Sequence, residues 1–374
     1  MFGKKFVTVL DFKATKIEVT VAERGVNNSV RIIASAASDY AGYINGEFLE
    51  EDNLTVAIAS AIEEVQKLVG SKIDNVHIGV PAEFCSYVIK NLKANYSSAQ
   101  VIKQRHIDRL FFDINDDDID SEFSIISKSP IYYVLDDGVQ TNDPLDNLSK
   151  NLAVKASFVL VRNTFIDSIS NALTSCGIKD YSFVPVVLAI DECLLDEESR
   201  QSGAIVIDFG YVSTCVSSII GDGIVDMKTF AVGQGHILAD LSEVLKINFF
   251  QVEELIKQII LTLQANPMDQ YDVSVDGESN KISAAYVNEI VLARLDSIVD
   301  IISKILLNFQ YKIDPNRPIY ITGDGIANLK GVKNYFTNKL RRKCYILTPS
   351  QVEYSKPKYS SKIGLIEFVY ASEK

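Results

Sequence analysis

The 374-residue chain is poor in the residues that build cross-links and reactive centres. Its five cysteines, Cys85, Cys176, Cys193, Cys215 and Cys344, are odd in number, far apart and without a CxxC pair, which suggests neither a disulfide framework nor a zinc site and fits a reducing cytoplasm. Only three histidines occur, His77, His106 and His236, and no Ser/His/Asp or Cys/His arrangement can be drawn around them. His77 alternates with Val76 and Ile78 along a strand-like run, the setting of a surface or satisfied core histidine. Positive charge is in deficit: 37 basic against 49 acidic side chains leave a net charge of −12, which argues against a dominant nucleic-acid or anionic-membrane surface. No window reaches the ~18 apolar residues of a membrane span. The start, MFGKKFVTVLDF, runs into a polar-interrupted strand rather than a signal-peptide core, and no cationic amphipathic tail follows IGLIEFVYASEK. A cytoplasmic protein that reaches a membrane only through others is the expectation.

What is present is an ordinary globular mixture, 47% apolar and 23% charged, too long for one small core, so two lobes or several subdomains are expected. From Phe6 to Tyr40 three β runs, FVTVLDF, KIEVTVAER and SVRIIASAA, read as an antiparallel meander. Asp52 or Asn53 then caps a helical pattern with Ile58, Ile62, Val65 and Val69 on one face, ending at Gly70, and NVHIGVP follows as a buried strand. Residues 82–162 form an α+β insertion with EFCSYVIKNL, a helix VIKQRHIDRLFFDI and strand candidates FSIISKS, IYYVLD and ASFVLVR. The order β-β-β-α-β returns with GAIVIDFG, STCVSSII, GIVDMKTFAVG and RPIYITGDG. It is interrupted by a largely helical insertion over 237–312, with ILADLSEVLK, QVEELIKQIILTL and AAYVNEIVLARLDSIVDIISKILLNF. In the last of these Ile290, Leu292, Leu295, Ile298, Val299 and Ile302 make a broad apolar face.

Setting VLDFKATKIEVTVAE beside VIDFGYVSTCVSSII aligns an apolar strand, Asp-Phe, a turn and a β-rich return, the pattern of an internal duplication. Two halves of this kind, each opening on a strand that ends in Asp, followed by a strand ending in Thr-Gly-x-Gly (ITGDGIANLKGV), resemble the actin-like ATPase superfamily. An insertion departing directly after NVHIGVP resembles, within it, the bacterial cell-division protein FtsA. Segments such as QRHIDRLF and FAVGQGHILADLSEVLKINFFQVEELIK extend the similarity over nearly the whole chain, and PilM-type pilus assembly proteins share the arrangement. The resemblance implies an α/β, actin-like fold of two RNase H-like lobes with mixed five-stranded sheets. Lobe I would comprise 1–81 with 163–201 and 359–374, a displaced FtsA-type α+β subdomain 82–162, and lobe II 202–236 and 313–358, with 237–312 inserted.

The family's phosphate hairpins resemble D-I-G-T-S and D-I-G-G-G-T-T-D, because glycine lets backbone N–H groups approach phosphate and take φ > 0. The residues at the matching positions are Asp11, Lys13 and Thr15; Asp208, Gly210, Ser213 and Thr214; and Gly323 and Gly325 on the adenosine side. Lys13 stands where a glycine belongs, Tyr211 and Val212 fill the second turn, Cys215 replaces an acid as a small buried hydrophobe, and Asp324 replaces a small residue. Val212 would not tolerate a positive φ, so the turn is expected to have a different backbone shape. The implied function is therefore a scaffold of bacterial cell division with a degenerate nucleotide site and no expected cofactor. It would contact the tubulin-like FtsZ or other division proteins, self-associate, and sit at the inner face of the membrane by recruitment. ATP with Mg²⁺, Asp11 and Asp208 organising the metal, is the alternative, and a PilM-like adaptor for the tail of a membrane protein is another. Asp11 and Asp208 are otherwise strand-end residues capping turns. Lys13 points to water, or its ammonium pairs with Asp208 in the charge role of the metal. The run FDINDDDIDSE (112–122) fails as an EF-hand, with Asp118 where Gly is needed and Ser124 where Glu is needed, and reads as a solvated loop or a docking surface for a basic partner.

Overall fold

The computed structural model describes residues 6–25, 27, 29–112, 119–136, 138–261, 266, 268–275 and 278–372. The central part of the acidic run, 113–118, lies outside them. The chain divides into two units: Met1–Ala204 with Ser217–Met227 and Ser361–Lys374, and Ile205–Val216 with Lys228–Ser360.

The first unit opens with β1 (Phe6–Phe12), β2 (Lys16–Arg24), β3 (Val30–Asp39), a short hairpin β4 (Tyr43–Ile44) and β5 (Glu47–Phe48), helix α1 (Glu51–Val69) and β6 (Asn75–Val80). Helix α1 begins earlier than the capping residues proposed from sequence. Glu50 is its N-cap, while the Asn53 side-chain Oδ1 accepts the Ala41 N–H at 2.7 Å and so ties the incoming loop to the helix. Its end at Gly70, φ 74°, is as expected, since the left-handed cap favours glycine. Ile58, Ile62 and Val65 are buried against Phe12, Ile17 and Val19, the apolar stripe meeting the sheet.

The insertion follows as β7 (Cys85–Val101), α2 (Gln104–Phe112), β8 (Phe123–Val134), β9 (Gln140–Thr141) and β10 (Leu148–Arg162). FSIISKS and IYYVLD prove to be one continuous strand, because Pro130 is accommodated at a register shift between Lys155 and Ala156 of β10. The four strands run in the order β7, β10, β8, β9, and Ile107 and Leu110 of α2 pack with Phe158, Leu160 and Val154 in a core of their own. The chain returns through α3 (Asn163–Ser175), β11 (Asp180–Pro185), α4 (Val186–Leu194) and α5 (Glu197–Gln201). The five-stranded sheet is ordered β11, β6, β1, β2, β3. Its β11–β6 and β6–β1 pairs are parallel, and its β1–β2 and β2–β3 pairs are antiparallel.

The second unit is built on β12 (Ala204–Phe209), β13 (Thr214–Ile220) and β14 (Gly223–Phe230), the far ends of β13 and β14 being counted with the first unit. Helices α6 (Gln234–Leu245) and α7 (Phe249–Ile256), a hairpin β15 (Gln270–Val275) and β16 (Glu278–Ser283), and the long α8 (Ala284–Asn308) follow. This insertion is less helical than the sequence suggested: α7 stops at Ile256 within QVEELIKQIILTL, and the β15–β16 hairpin was not foreseen. In α8 the buried face includes Val287, Val291, Leu295, Ile298, Val299 and Ile302, while Ile290 and Leu292 flank it. Then come β17 (Ile319–Thr322), α9 (Val332–Leu340), β18 (Cys344–Ile346) and α10 (Ser360–Ser372), α10 belonging from Ser361 onward to the first unit. The sheet order β14, β13, β12, β17, β18 repeats the first sheet strand for strand, with β12–β17 and β17–β18 parallel.

Candidate functional site

The first hairpin closes on itself. The Lys13 N–H donates to the Lys16 carbonyl at 2.8 Å, leaving Ala14 and Thr15 at the tip, and neither takes a positive φ. Its carbonyls are also used: the Tyr40 hydroxyl donates to Lys13 O at 2.9 Å and the Tyr40 N–H to Thr15 O at 3.0 Å. Burial, then the Glu83 and Asp11 carboxylates, push the Tyr40 phenol well above its ordinary range, so it stays a donor. Gly42 crosses the tip so closely, at φ 91°, that a Cβ there would stand 2.7 Å from Ala14 O. Asp11 is buried, and its carboxylate Oδ2 lies 2.8 Å from the Lys13 ammonium and accepts the Ser361 hydroxyl at 2.8 Å. Lys13 donates in turn to Ser361 Oγ at 2.5 Å. A cation and a hydroxyl thus converge on the acid that opens the hairpin, and the lysine does not simply extend into water. Thr15 contributes no side-chain contact to this cluster and is exposed.

The second hairpin is held by backbone. The Gly210 N–H donates to Ser213 O at 2.9 Å, and Tyr211 and Val212 at the tip both avoid positive φ, the backbone shape the β-branched Val212 requires. The first amides of α6 are spent on this tip: Gln234 N–H donates to Gly210 O at 3.0 Å and Gly235 N–H to Tyr211 O at 2.8 Å. The Thr214 hydroxyl donates to Val232 O at 2.7 Å. The Tyr211 ring lies on Gly235, where a Cβ would stand 2.8 Å from its Cε1, and a Cβ on Gly233 would meet Gly210 O at 2.4 Å. Burial, then the Glu253 and Asp324 carboxylates, raise the Tyr211 phenol above its ordinary value. Ser213 is half-buried at the end of the turn. Asp208 is half-buried, its Oδ1 folded beside Gly323.

Gly323 and Gly325 serve this close approach. Gly323 sits at φ 105°, ψ 162°, a conformation other residues rarely adopt, and a Cβ there would lie 2.3 Å from Phe209 O. A Cβ on Gly325 would lie 2.3 Å from Gly210 O. The loop after β17 is therefore laid directly on the turn after β12. Sequence reasoning found the turn residues but missed what completes them: Tyr40, Ser361 and the Gly233–Gly235 pair. Only the last left a signal, the Gly-Gln-Gly at the start of a helix.

The remaining candidates are quiet. His77 Nδ1 is 2.7 Å from Ser182 Oγ, His106 Nδ1 accepts the Lys103 N–H at 3.0 Å, and His236 Nδ1 accepts the Gly233 N–H at 3.2 Å. Cys215 is buried in β13. Among the described residues no helix is long and apolar enough to cross a membrane, and no group of three or more His, Cys, Asp or Glu is placed to hold a metal.

Comparison with known proteins matches the family model "Cell division protein FtsA" to residues 205–364. Over 98% of the chain it is 22% identical to the cell division protein FtsA of Streptococcus pneumoniae, of which 81% is covered. It is 21% identical over 98% of the chain to that of Bacillus subtilis, of which 84% is covered. Among solved structures it resembles a PilM-PilN type IV pilus biogenesis complex chain, with TM-score 0.63, 11% identity and 98% of each chain covered. It also resembles MreB5 of Spiroplasma citri bound to ADP, with TM-score 0.61, 12% identity, and coverage of 99% of this chain and 98% of that one. The structural likenesses show an actin-like fold, and the sequence matches narrow the similarity to the cell division protein FtsA over nearly the whole chain.

Proposed function

We propose that this chain is an FtsA-like scaffold of bacterial cell division that works through contacts with other proteins, the tubulin-like FtsZ first among them, and with further copies of itself. It would act in the cytoplasm, recruited to the division site at the inner face of the membrane. The observation that carries the reading is the alignment with FtsA proteins over 98% of the chain, with the family model falling on the second unit. The test is co-sedimentation with assembled FtsZ: the chain should pellet with the polymer and remain in the supernatant without it. Absence from the pellet, together with capture by a peptide from the cytoplasmic tail of a pilus-type membrane protein, would replace this reading with a PilM-like adaptor.

The same reading holds that the two turns do not grip a magnesium nucleotide in the usual way. A phosphate cradle needs free amides and room beside them. At the second turn the Gly210, Gln234 and Gly235 amides are each donated to a carbonyl, and the Tyr211 ring covers Gly235. At the first, Lys13 and Ser361 already satisfy the Asp11 oxygen that would face hydrated metal. These residues fit two turns that are each closed by the protein's own side chains and carbonyls.

A further inference from the structure

From Lys330 to Tyr345 the chain carries six basic residues, Lys330, Lys333, Lys339, Arg341, Arg342 and Lys343, and no acidic one, within a molecule of net charge −12. The fold gathers them in the second unit. Helix α9 ends on Arg341, whose φ of 51° turns the chain back, and Arg342 anchors that turn by donating to Arg317 O at 2.6 Å and Asp314 O at 2.8 Å. Lys343 then enters β18 facing the same ring as Lys333 of α9. The two ammonium groups lie 4.9 Å and 5.2 Å from the centroid of Tyr345, which is tilted against Tyr320 at 6.2 Å. Lys339 is taken by Asp296. Lys330, Lys333, Arg341 and Lys343 are exposed, and among the described residues none has a carboxylate partner.

Two like charges drawn to one ring, with no counter-charge, is an arrangement that the folded chain tolerates at a cost and a negatively charged ligand would relieve. We propose that this face, made by α9, the Arg341–Lys343 turn and β18, docks an Asp/Glu-rich polypeptide segment of a partner protein. The proposal rests on the reading that the chain works through protein contacts, and it supplies the surface and the chemistry of one such contact. An extended segment sets a side chain every ~3.3 Å, so successive carboxylates reach separate cations while an intervening apolar side chain lies on the Tyr320–Tyr345 floor. A polyanionic surface such as nucleic acid or an anionic bilayer extends beyond the face and meets the acidic remainder of the molecule, which disfavours it.

The probe is a fluorescent peptide of sequence FDINDDDIDSE, the chain's own acidic run, titrated with the full-length protein and compared with a peptide in which Asn and Gln replace every Asp and Glu. The acidic peptide should bind at least tenfold more tightly than the neutral one at low salt, and weaken about tenfold between 50 mM and 300 mM salt as screening sets in. The double variant K333E/K343E should lose this binding and K333Q/K343Q should weaken it. Lys67→Glu, an exposed charge change on α1, should leave it unchanged, circular dichroism verifying the fold in each case. Equal binding of both peptides, binding untouched by K333E/K343E, or tighter binding to phosphatidylglycerol vesicles than to the peptide would overturn the proposal. Because the titration contains no FtsZ, its failure is separate from failure of the co-sedimentation test.

Discussion

The two Asp-Phe hairpins share a sequence frame and are held in different ways. In the first, a buried carboxylate is neutralised by Lys13 and Ser361, and the tip is clasped by Tyr40. In the second, the tip carbonyls are capped by the opening amides of α6 and the loop containing Gly323 and Gly325 lies on its backbone. The difference teaches that a turn carrying Lys13 is held by an electrostatic partner, whereas the turn carrying Tyr211 and Val212 is packed by glycines at 233, 235, 323 and 325, where a side chain would collide.

That contrast can be broken at its most sensitive point in the second hairpin. Gly323→Ala places a Cβ within 2.3 Å of Phe209 O at a φ of 105°, and should cost about 3 kcal/mol of stability in urea denaturation. A loss below about 1 kcal/mol would mean that the loop does not depend on this close approach. In the first hairpin, Lys13→Met leaves the buried Asp11 carboxylate with Ser361 alone. Because the lysine side chain is a quarter exposed, the expected cost is about 2 kcal/mol, below that of breaking a fully buried pair. Ser361→Ala removes one charge-assisted hydrogen bond to Asp11 and should cost about 1 kcal/mol; equal losses for Lys13→Met and Ser361→Ala would deny the lysine its special role.

A pH dependence near neutrality sharpens the comparison by belonging to neither hairpin. Burial, with the Asp222 carboxylate adding and the Arg200 guanidinium opposing, raises Glu192 on α4 from 4.5 to about 7. A carboxyl raised on folding binds its proton more tightly in the native state, so its contribution is full below pH 4.5 and is lost as pH rises through about 7. Between pH 5 and 8 the decline should be on the order of 2 kcal/mol, and Glu192→Gln should flatten it. A slope unchanged in that variant would move the titrating group elsewhere.

Much of the frame was legible in the sequence because it rests on local pattern. The apolar, β-rich runs of β1, β2 and β12, the stripe of α1 with its Gly70 cap, and the repeated strand–Asp–turn order all follow from side-chain pattern and turn chemistry. Likewise, Val212 foretold a turn without positive φ. Contacts between distant residues were not legible. Ser361 meets Asp11 across 350 positions, and nothing near either one marks the other. Tyr40 likewise reads as the end of a strand rather than as the clasp of a turn 25 positions upstream. The β15–β16 hairpin was hidden inside a stretch whose helical neighbours dominated its reading, and the continuity of β8 through Pro130 was masked by a residue that ordinarily ends strands.

The central claim, that side chains and carbonyls of the protein itself occupy the phosphate turns, is tested most directly by calorimetric titration of the full chain with ATP and excess magnesium. No saturable heat at millimolar nucleotide is predicted for the wild-type protein. Stoichiometric binding with a micromolar dissociation constant would contradict the account.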